Sequence, residues 1–139
     1  MPDFLRPDTA LQALRPAVAT ETAAAPAATP GDFLHATLRP ILKLQNPLLL
    51  AVVADFVRDH HVPLPSADPA DRLRLLAELL GRNTKLRYTV VGLITGQFTT
   101  AETAFYRQHR PELNRRLLEL ATRRVQDQAA AVVALCLAP

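Results

Sequence analysis

The sequence is poor in the residues that most often carry out chemistry. Its 139 residues include one cysteine, Cys136, four glycines and one serine, Ser66. A single cysteine excludes an intrachain disulfide and fits a reducing compartment. The few glycines and the lone serine form neither a Gly-rich phosphate loop nor a Gly-x-Ser-x-Gly nucleophile motif. The chain therefore shows no catalytic residues, and we expect no cofactor.

Long apolar runs and a leader segment are also lacking. The uncharged apolar runs, residues 48–54 and 129–139, fall short of the roughly 20 residues that a membrane span needs. Residues 1–6 do not combine a basic segment with a following apolar core, which is the pattern of a signal peptide. We therefore expect a soluble, cytoplasmic protein without a membrane span.

The charge balance and the length are those of an ordinary globular domain. Hydrophobic residues make up 49% and charged residues 21% of the chain, and the net charge is +3. The basic residues are nearly all arginine, since Lys43 and Lys85 are the only lysines. A chain of this length forms about one domain and buries roughly two-thirds of the surface it exposes when unfolded.

The composition divides the chain into three parts. Residues 1–31 form an N-terminal arm that ends in an Ala/Thr/Pro tract, residues 16–31, with too few bulky apolar groups to build a core. We expect a flexible arm and linker here, followed by a helical domain over residues 32–128. An uncharged apolar tail, residues 129–139, either continues the last helix or frays.

Leu-Arg-Pro occurs three times in the first 40 residues, at positions 5–7, 14–16 and 38–40. The spacings differ and the flanking residues match only loosely, so chance recurrence in an Arg-rich chain is the preferred interpretation. The alternative is that the arm docks where the third triplet packs.

Helix start signals recur through the domain and predict an all-α fold, a small bundle of about five helices. Asparagine and aspartate before proline, and a Thr-x-x-Glu capping box, are typical of helix N-termini. The signals are Asn46-Pro47, Asp68-Pro69, Asn83, Thr99 with Glu102, and Pro111. Pro40, near the start of the domain, is expected to bend the chain.

Residues 83–97 are the ambiguous segment, because its β-branched part, residues 88–95, is also compatible with a buried strand. No second strand-like segment exists to pair with it, so a helix is predicted. Gly92 and Gly96 then lie on one helix face, where they are expected to allow the close approach of another helix.

One cluster has the residue types of a metal site. It consists of Asp55, Asp59, His60 and His61. Adjacent histidines on a helix point about 100° apart, so both can bind one ion only if the helix ends between them. Histidines at a helix C-terminus also interact favourably with the helix dipole. This second interpretation is preferred, and no metal is predicted.

An arginine-rich C-terminal region raises the alternative of nucleic-acid binding through a phosphate-contacting face. Glu112 and Glu119 each lie four residues before an arginine, in the orientation that favours ion pairs on a helix. A solvated, salt-bridged helix is therefore the preferred interpretation. The candidate arginines are Arg107, Arg110, Arg115, Arg116, Arg123 and Arg124.

Residues 38–46, 94–99 and 112–116 resemble a group of short, uncharacterised bacterial helical proteins, and the resemblance covers roughly residues 33–128. It implies a bacterial, all-helical protein. Some members of the group are labelled glyoxalase, which implies a small metal-dependent enzyme. Metal-dependent glyoxalases use paired βαβββ modules that present His and Glu ligands, and this chain lacks both features, so no active-site residue is transferred.

Taken together, these features favour a non-enzymatic protein–protein interaction module that contacts an unknown partner or a second copy. The apolar tail is the preferred contact surface, because an exposed apolar helix end tends to associate. We expect it to pack against another chain in preference to its own core. Nucleic-acid binding and a small metal-dependent enzyme are the alternatives.

Overall fold

The structure of the chain is a computed structural model that describes residues 4–16 and 28–139, and every regular element in these residues is a helix. The predicted all-α class is confirmed, but about five helices was an undercount, because the described residues form eight. They are α1 (Asp8–Leu14), α2 (Pro30–Leu44), α3 (Asn46–Asp59), α4 (Pro69–Arg82), α5 (Thr84–Thr95), α6 (Thr100–Gln108), α7 (Arg110–Asp127) and α8 (Ala129–Leu137).

Three of these helices differ from the sequence expectations. The arm contains α1, and the tail forms α8 as a separate helix after a break at Gln128. Helix α2 continues through Pro40, although proline removes a backbone donor and crowds the preceding turn. Within α2, the segment Leu34–Leu38 is a π turn that ends two residues before Pro40. The π turn widens the helix where the proline ring would otherwise contact the preceding turn.

The start of α2 lies within the tract that was predicted to be a linker. The Thr29 side chain accepts a hydrogen bond from the Asp32 amide at 3.1 Å, and Pro30 occupies the first helical turn. Residues 17–27 of the predicted linker lie outside the described residues.

The predicted N-terminal caps of three helices are confirmed. Asp68 Oδ1 accepts from the Asp71 amide at 2.8 Å, and Asn83 Oδ1 accepts from the Leu86 amide at 2.9 Å. Thr99 and Glu102 form the complete capping box of α6. These local bonds satisfy amides that the first helical turn leaves without a partner. Residues 83–97 are accordingly helical, as predicted, over most of their length.

Asn46 is bonded elsewhere than in the predicted cap. It is the first residue of α3, and its side chain exchanges two hydrogen bonds of 2.8 Å with the amide group of Gln128. Two amide side chains can pair in this reciprocal way because each has both a donor and an acceptor. The pair links the start of α3 to the break between α7 and α8.

Gly92, in α5, and Gly96, just after it, do not have the expected role. A Cβ built on Gly92 meets nothing within 4 Å, so no other helix approaches it closely. A Cβ on Gly96 comes within 3.0 Å of the Gly92 carbonyl oxygen. Gly96 is therefore favoured by the tight turn that ends α5 and not by helix packing.

The chain folds as two compact units. The first contains Met1–Gln45 and Val91–Leu117, and the second contains Asn46–Val90 and Leu118–Pro139. An aromatic cluster marks the core of the first unit. The ring of Phe33 lies edge-on to Phe98, with centroids 5.3 Å apart, and is stacked on Phe105 at 5.1 Å.

In the second unit, α8 packs on α3. Val132 and Val133 are buried, whereas Leu135 and Leu137 are 40% and 69% exposed. The Cys136 thiol is 3.7 Å from the Ala54 carbonyl oxygen on α3. The first half of the tail is thus covered by its own chain, and the expectation that the tail contacts another chain stays a prediction for its exposed second half. An apolar helix can fold back wherever its own unit offers an apolar face.

Helix α4 is amphipathic, and the leucines along it differ in burial. Leu76 and Leu80 are buried, whereas Leu73 is 44% exposed. Leu73 lies in the first turns of the helix, and its carbonyl oxygen accepts a hydrogen bond from Gln126 Nε2 at 2.9 Å.

None of the helices in the described residues is by itself long and apolar enough to cross a membrane. Helices α2 and α3 reach that threshold only as a pair, on length and composition alone.

Candidate functional site

The most elaborate polar site in the described residues joins the two ends of the first unit. From here on, the arm means residues 4–16 alone, which are the described residues before the gap at 17–27. The receiving loop means residues 96–102, which follow α5 and include the first three residues of α6. Helix α1 begins after Pro7 and ends before Arg15, so it separates two arginines of the arm, Arg6 and Arg15. Both arginines contact the receiving loop, although they lie more than 80 residues from it in sequence.

Arg15 and Glu102 form the central ion pair of this site. Nη1 of Arg15 donates to Glu102 Oε2 at 2.7 Å, and Nη2 donates to Oε1 at 2.5 Å. The Arg15 and Glu102 side chains are only 10% and 15% exposed. Nη2 also donates to the Gln97 carbonyl oxygen at 3.0 Å. A two-point contact of this kind recognises the planar guanidinium group and would be incomplete with lysine.

Glu102 receives further donors from its surroundings. The Thr99 amide donates to Oε1 at 2.9 Å as part of the capping box, and the Thr37 hydroxyl donates to Oε2 at 3.2 Å. Thr37 is buried and lies on the π turn of α2. The capping box therefore orients the carboxylate that receives Arg15.

The pKa of Glu102 reflects opposing influences. Burial raises the pKa, because it disfavours the charged carboxylate. Hydrogen bonds from Arg15 and from the Thr99 amide, together with the positive charge of Arg15, lower it and prevail. The pKa of Glu102 thus lies below its usual value, so the carboxylate is ionised and matched to a cation.

Arg6 binds the loop through the backbone. Its Nη2 donates to the Gly96 carbonyl oxygen at 2.6 Å, and its Nε donates to the Phe98 carbonyl oxygen at 3.3 Å. The backbone amide of Arg6 donates to Thr100 Oγ1 at 2.9 Å. Two of these contacts are to backbone carbonyl oxygens, so the binding of Arg6 depends on the backbone conformation of the loop as well as on the Thr100 side chain.

Asp8 is the acidic residue of the arm that contacts the receiving loop. Its Oδ1 accepts hydrogen bonds from the Thr100 amide at 2.7 Å and from the Thr100 hydroxyl at 3.0 Å. Thr100 is the first residue of α6, where the amide has no partner within the helix. A carboxylate at this end is also favoured by the helix dipole. The arm therefore supplies a cap to a helix that lies 92 residues away in sequence.

Two buried polar atoms in the described residues have no hydrogen-bond partner, and both belong to this site. They are Nε of Arg15 and Oε1 of Gln97. An unpaired buried donor or acceptor costs about 1–3 kcal/mol. The hold on the arm is therefore weaker than its number of hydrogen bonds implies.

Apolar contact contributes little to the docking of the arm. Leu11 is the only apolar residue in the described part of the arm that is buried, at 7% exposure. Phe4, Leu5 and Leu14 are 56%, 79% and 57% exposed. The arm is therefore attached mainly through charge and hydrogen bonds, and its other bulky apolar side chains face outward.

No protein-family model, curated protein or solved structure matches this chain. The resemblance to short bacterial helical proteins accordingly stays a prediction, as does any activity that it implies.

The predicted metal candidates lie at and near the end of α3. His60 is stacked on Phe56, with ring centroids 5.4 Å apart, and its Nδ1 lies 3.0 Å from the Phe56 carbonyl oxygen. Asp55 and Asp59 are exposed. Within the described ranges no group of three or more His, Cys, Asp or Glu residues is placed to hold a metal ion.

His61 has a backbone role at the same helix end. Its φ of 52° lies in the left-handed region, where glycine is usual. The His61 amide donates to the Arg58 carbonyl oxygen, and the Val62 amide donates to the Val57 carbonyl oxygen at 3.0 Å. This is the hydrogen-bond pattern of a Schellman C-cap. The histidine pair therefore terminates α3.

A groove of about 480 Å³ lies beside this helix end and is open to solvent. Its polar side chains are those of His60, His61, Glu78, Arg82 and Asn83. Asn83 already caps α5, and His60 lies against Phe56. The groove thus brings a mixed set of groups together without a convergent arrangement for one reaction.

Of the candidate arginines, Arg107, Arg110, Arg115 and Arg116 lie in the first unit. The predicted pair between Arg116 and Glu112 is confirmed, with Nη2 and Oε1 3.1 Å apart. Arg110 lies over the ring of Tyr106, 5.8 Å from its centroid, and Arg115 also has an interaction partner. Most of these cations are thus engaged by their own chain.

The remaining candidates, Arg123 and Arg124, lie in the second unit. Nη1 of Arg124 is 3.4 Å from Asn46 Oδ1, and the Arg123 side chain is exposed. The structure therefore does not bring the six predicted arginines together within one unit.

The cysteine does not have the surroundings of a nucleophile. Burial raises the pKa of the Cys136 thiol, nearby Arg58 lowers it, and Asp55 raises it further, so that the pKa lies above its usual value. A thiol becomes reactive when its pKa is lowered. Cys136 is therefore a packing residue of α8.

Sequence reasoning missed Arg6, Asp8 and Arg15, which are the residues that build the site. A signal was present, because Arg6 and Arg15 are the arginines of the first two Leu-Arg-Pro triplets. These triplets flank α1, so their recurrence marks the two ends of a docked helix. Asp8 carried no signal beyond its position at the start of that helix.

Proposed function

We propose that the chain is a non-enzymatic protein-interaction module whose receiving loop binds a short charged segment, and that the arm is such a segment. The observation that carries the proposal is the bidentate contact of the nine-tenths buried Arg15 guanidinium with Glu102. Burying both charges costs desolvation free energy that can offset their attraction, so such a pair contributes to specificity more than to stability.

Three contacts support recognition of a particular segment. Glu102 binds Arg15, backbone carbonyl oxygens of the loop accept from both arginines, and the Thr100 amide and hydroxyl donate to Asp8. A bound segment must therefore carry arginine, aspartate and arginine at the spacing of residues 6, 8 and 15. Complementarity of this kind provides specificity more than affinity.

The experiment measures binding of a labelled peptide that corresponds to residues 4–16. The receptor is the full-length chain carrying Arg15→Ala, which weakens its own arm, and the unsubstituted chain is the control. We expect saturable binding that is at least about tenfold tighter for the variant, because a weaker tethered arm competes less.

A matched peptide carrying Arg15→Ala tests specificity. It should bind at least about tenfold more weakly than the natural peptide, since it leaves Glu102 buried without its cation. Equal binding of the two peptides, or no saturable binding to either form of the chain, contradicts the proposal.

A further inference from the structure

We infer that the partner of the receiving loop is the arm of a second copy of this chain, so that two copies exchange arms. This inference rests on the proposed function, because it requires that the loop accept a segment from another molecule. It adds the identity of the partner.

The covalent connection is long enough for exchange. Residues 17–27 are the eleven residues that join Pro16 of the arm to Ala28. An extended chain spans at most about 3.3–3.6 Å per residue, so this connection reaches about 40 Å. The arm of one copy can therefore meet the loop of a neighbour without any change in either docking surface.

Exchange retains every contact of the docked arm. Arg6, Asp8 and Arg15 find the same carbonyl, amide and carboxylate partners on a second copy, because both loops have the same sequence. Domain exchange of this type is a low-cost route to a dimer. Release of the arm also uncovers little apolar surface, since Leu11 is its only described apolar residue that is buried.

The outward side of the docked arm favours a second copy. Phe4, Leu5 and Leu14 are all more than half exposed, and their own unit does not cover them. In an exchanged dimer a second copy is tethered beside the docked arm, and any part of these side chains that it covers gains about 25 cal/mol per Å² removed from water. A monomer whose arm is bound to its own receiving loop lacks this gain.

The tether sets the concentration at which exchange appears. The covalent connection keeps an arm near its own loop, and tethering by a short segment corresponds to an effective concentration on the order of millimolar. With identical docking contacts, the dimer becomes abundant as the protein approaches that concentration, and earlier if the outward apolar side chains are buried. We therefore expect a concentration-dependent monomer–dimer equilibrium.

The first test uses charge reversal in full-length chains. The Arg15→Glu variant places two carboxylates together at positions 15 and 102, and the Glu102→Arg variant places two guanidinium groups there. Neither variant therefore docks its own arm well. A mixture restores both pairs between chains: the altered arm fits the altered loop, and the unaltered arm fits the unaltered loop. The expected result is a doubled mass by light scattering in the equimolar mixture, with each variant alone monomeric.

The double variant Arg15→Glu/Glu102→Arg is the matched control, because it restores the pair within one chain. Its arginine at position 102 cannot accept the hydrogen bonds that Glu102 receives from the Thr99 amide and the Thr37 hydroxyl, so it should be less stable than the unsubstituted protein. It should nevertheless be monomeric at the concentration where the equimolar mixture is dimeric. A mixture that stays monomeric while the double variant folds normally overturns the inference.

A second measurement leaves the ion pair intact, in case Glu102→Arg prevents folding. Asp8→Cys and Thr100→Cys, in a chain that also carries Cys136→Ser, place thiols where the two side chains meet at 3.0 Å. After oxidation, covalent dimers should increase as the protein is concentrated to about 1 mM before oxidant is added.

Exclusively intrachain disulfides at every concentration overturn arm exchange. The proposed function would survive that result if the free peptide still bound the receiving loop. Failure of peptide binding would instead remove the proposed function, and the inference with it.

Discussion

The arm and the tail helix α8 are both short terminal helices that pack on their own unit, but they are held by opposite chemistry. The arm is held by the charged side chains of Arg6, Asp8 and Arg15. Helix α8 has no charged residue, buries Val132 and Val133, and makes one long sulfur contact with α3. A charged interface responds to pH and salt, whereas an apolar one does not respond in this way.

The difference also affects stability. A typical hydrogen bond contributes about 0.5–1.5 kcal/mol net, because the unfolded chain bonds to water instead. Full burial of a valine or leucine side chain contributes about 1.5–3 kcal/mol. We therefore expect the tail to be an integral part of its unit and the arm to be separable from its own.

The largest expected effect is in the tail. Val132→Ala should lower the free energy of unfolding by about 2 kcal/mol, because it removes two methyl groups from a fully buried site and leaves a cavity. Urea denaturation followed by circular dichroism measures the change. Leu137→Ala, at a side chain that is 69% exposed, is the matched control and should change stability by less than about 0.5 kcal/mol. Equal effects of the two substitutions would show that α8 is not part of the core.

The next effect is a pH dependence confined to the arm. The pKa of Glu102 is lowered in the folded state, so its stabilising contribution is complete above the usual pKa and is lost as pH falls through the lowered one. Hydrogen exchange of the Thr99 amide, which donates to Glu102, should therefore accelerate at acid pH after correction for intrinsic rates. The acceleration should be about tenfold for each pH unit between the two pKa values.

Two comparisons make this pH test specific. Glu102→Gln should remove the acid step, because no carboxylate remains to be protonated at that position. The Val132 amide, which donates to the Gln128 carbonyl oxygen in the tail, should not show the step. An equal acceleration of hydrogen exchange in α8 at acid pH would show that the arm and the tail helix do not differ in their response to pH.

The smallest effect concerns the only apolar residue in the described part of the arm that is buried. Leu11→Ala should lower the free energy of global unfolding by less than about 1 kcal/mol, because the arm can undock before the rest of its unit unfolds. It should nevertheless increase cleavage of the arm by a low concentration of protease, relative to the exposed control Leu14→Ala. A loss as large as that of Val132→Ala would mean that the arm is integral to the fold.

The fold was predictable where the determining contacts are local. The cap of Asp68, the cap of Asn83 and the capping box of Thr99 each involve residues three positions apart. The helix over residues 84–95 followed from Asn83 and from the lack of a partner strand. Local signals of this kind place helix starts well, because their chemistry is complete within one turn.

The contacts between distant segments were not predictable in the same way. Asn46 has the position of a cap, yet its side chain pairs with Gln128, 82 residues away. The site itself depends on the meeting of Arg15 with Glu102, and nothing near either residue indicates the other. Glu102 was identified correctly as a capping residue, but a cap leaves carboxylate lone pairs free, and their second partner depends on the tertiary fold.

The cap that Asp8 provides to α6 makes the two elements thermodynamically coupled. When the arm leaves, the first amide of α6 loses its acceptor, and the opening turn of that helix becomes easier to fray. Any ligand that displaces the arm without replacing its aspartate therefore loosens α6, and any ligand that tightens the start of α6 holds the arm in place. Reciprocity of this kind is required by linkage. The Thr100 amide is accordingly a single-residue reporter of occupancy, readable by its chemical shift in the intact protein.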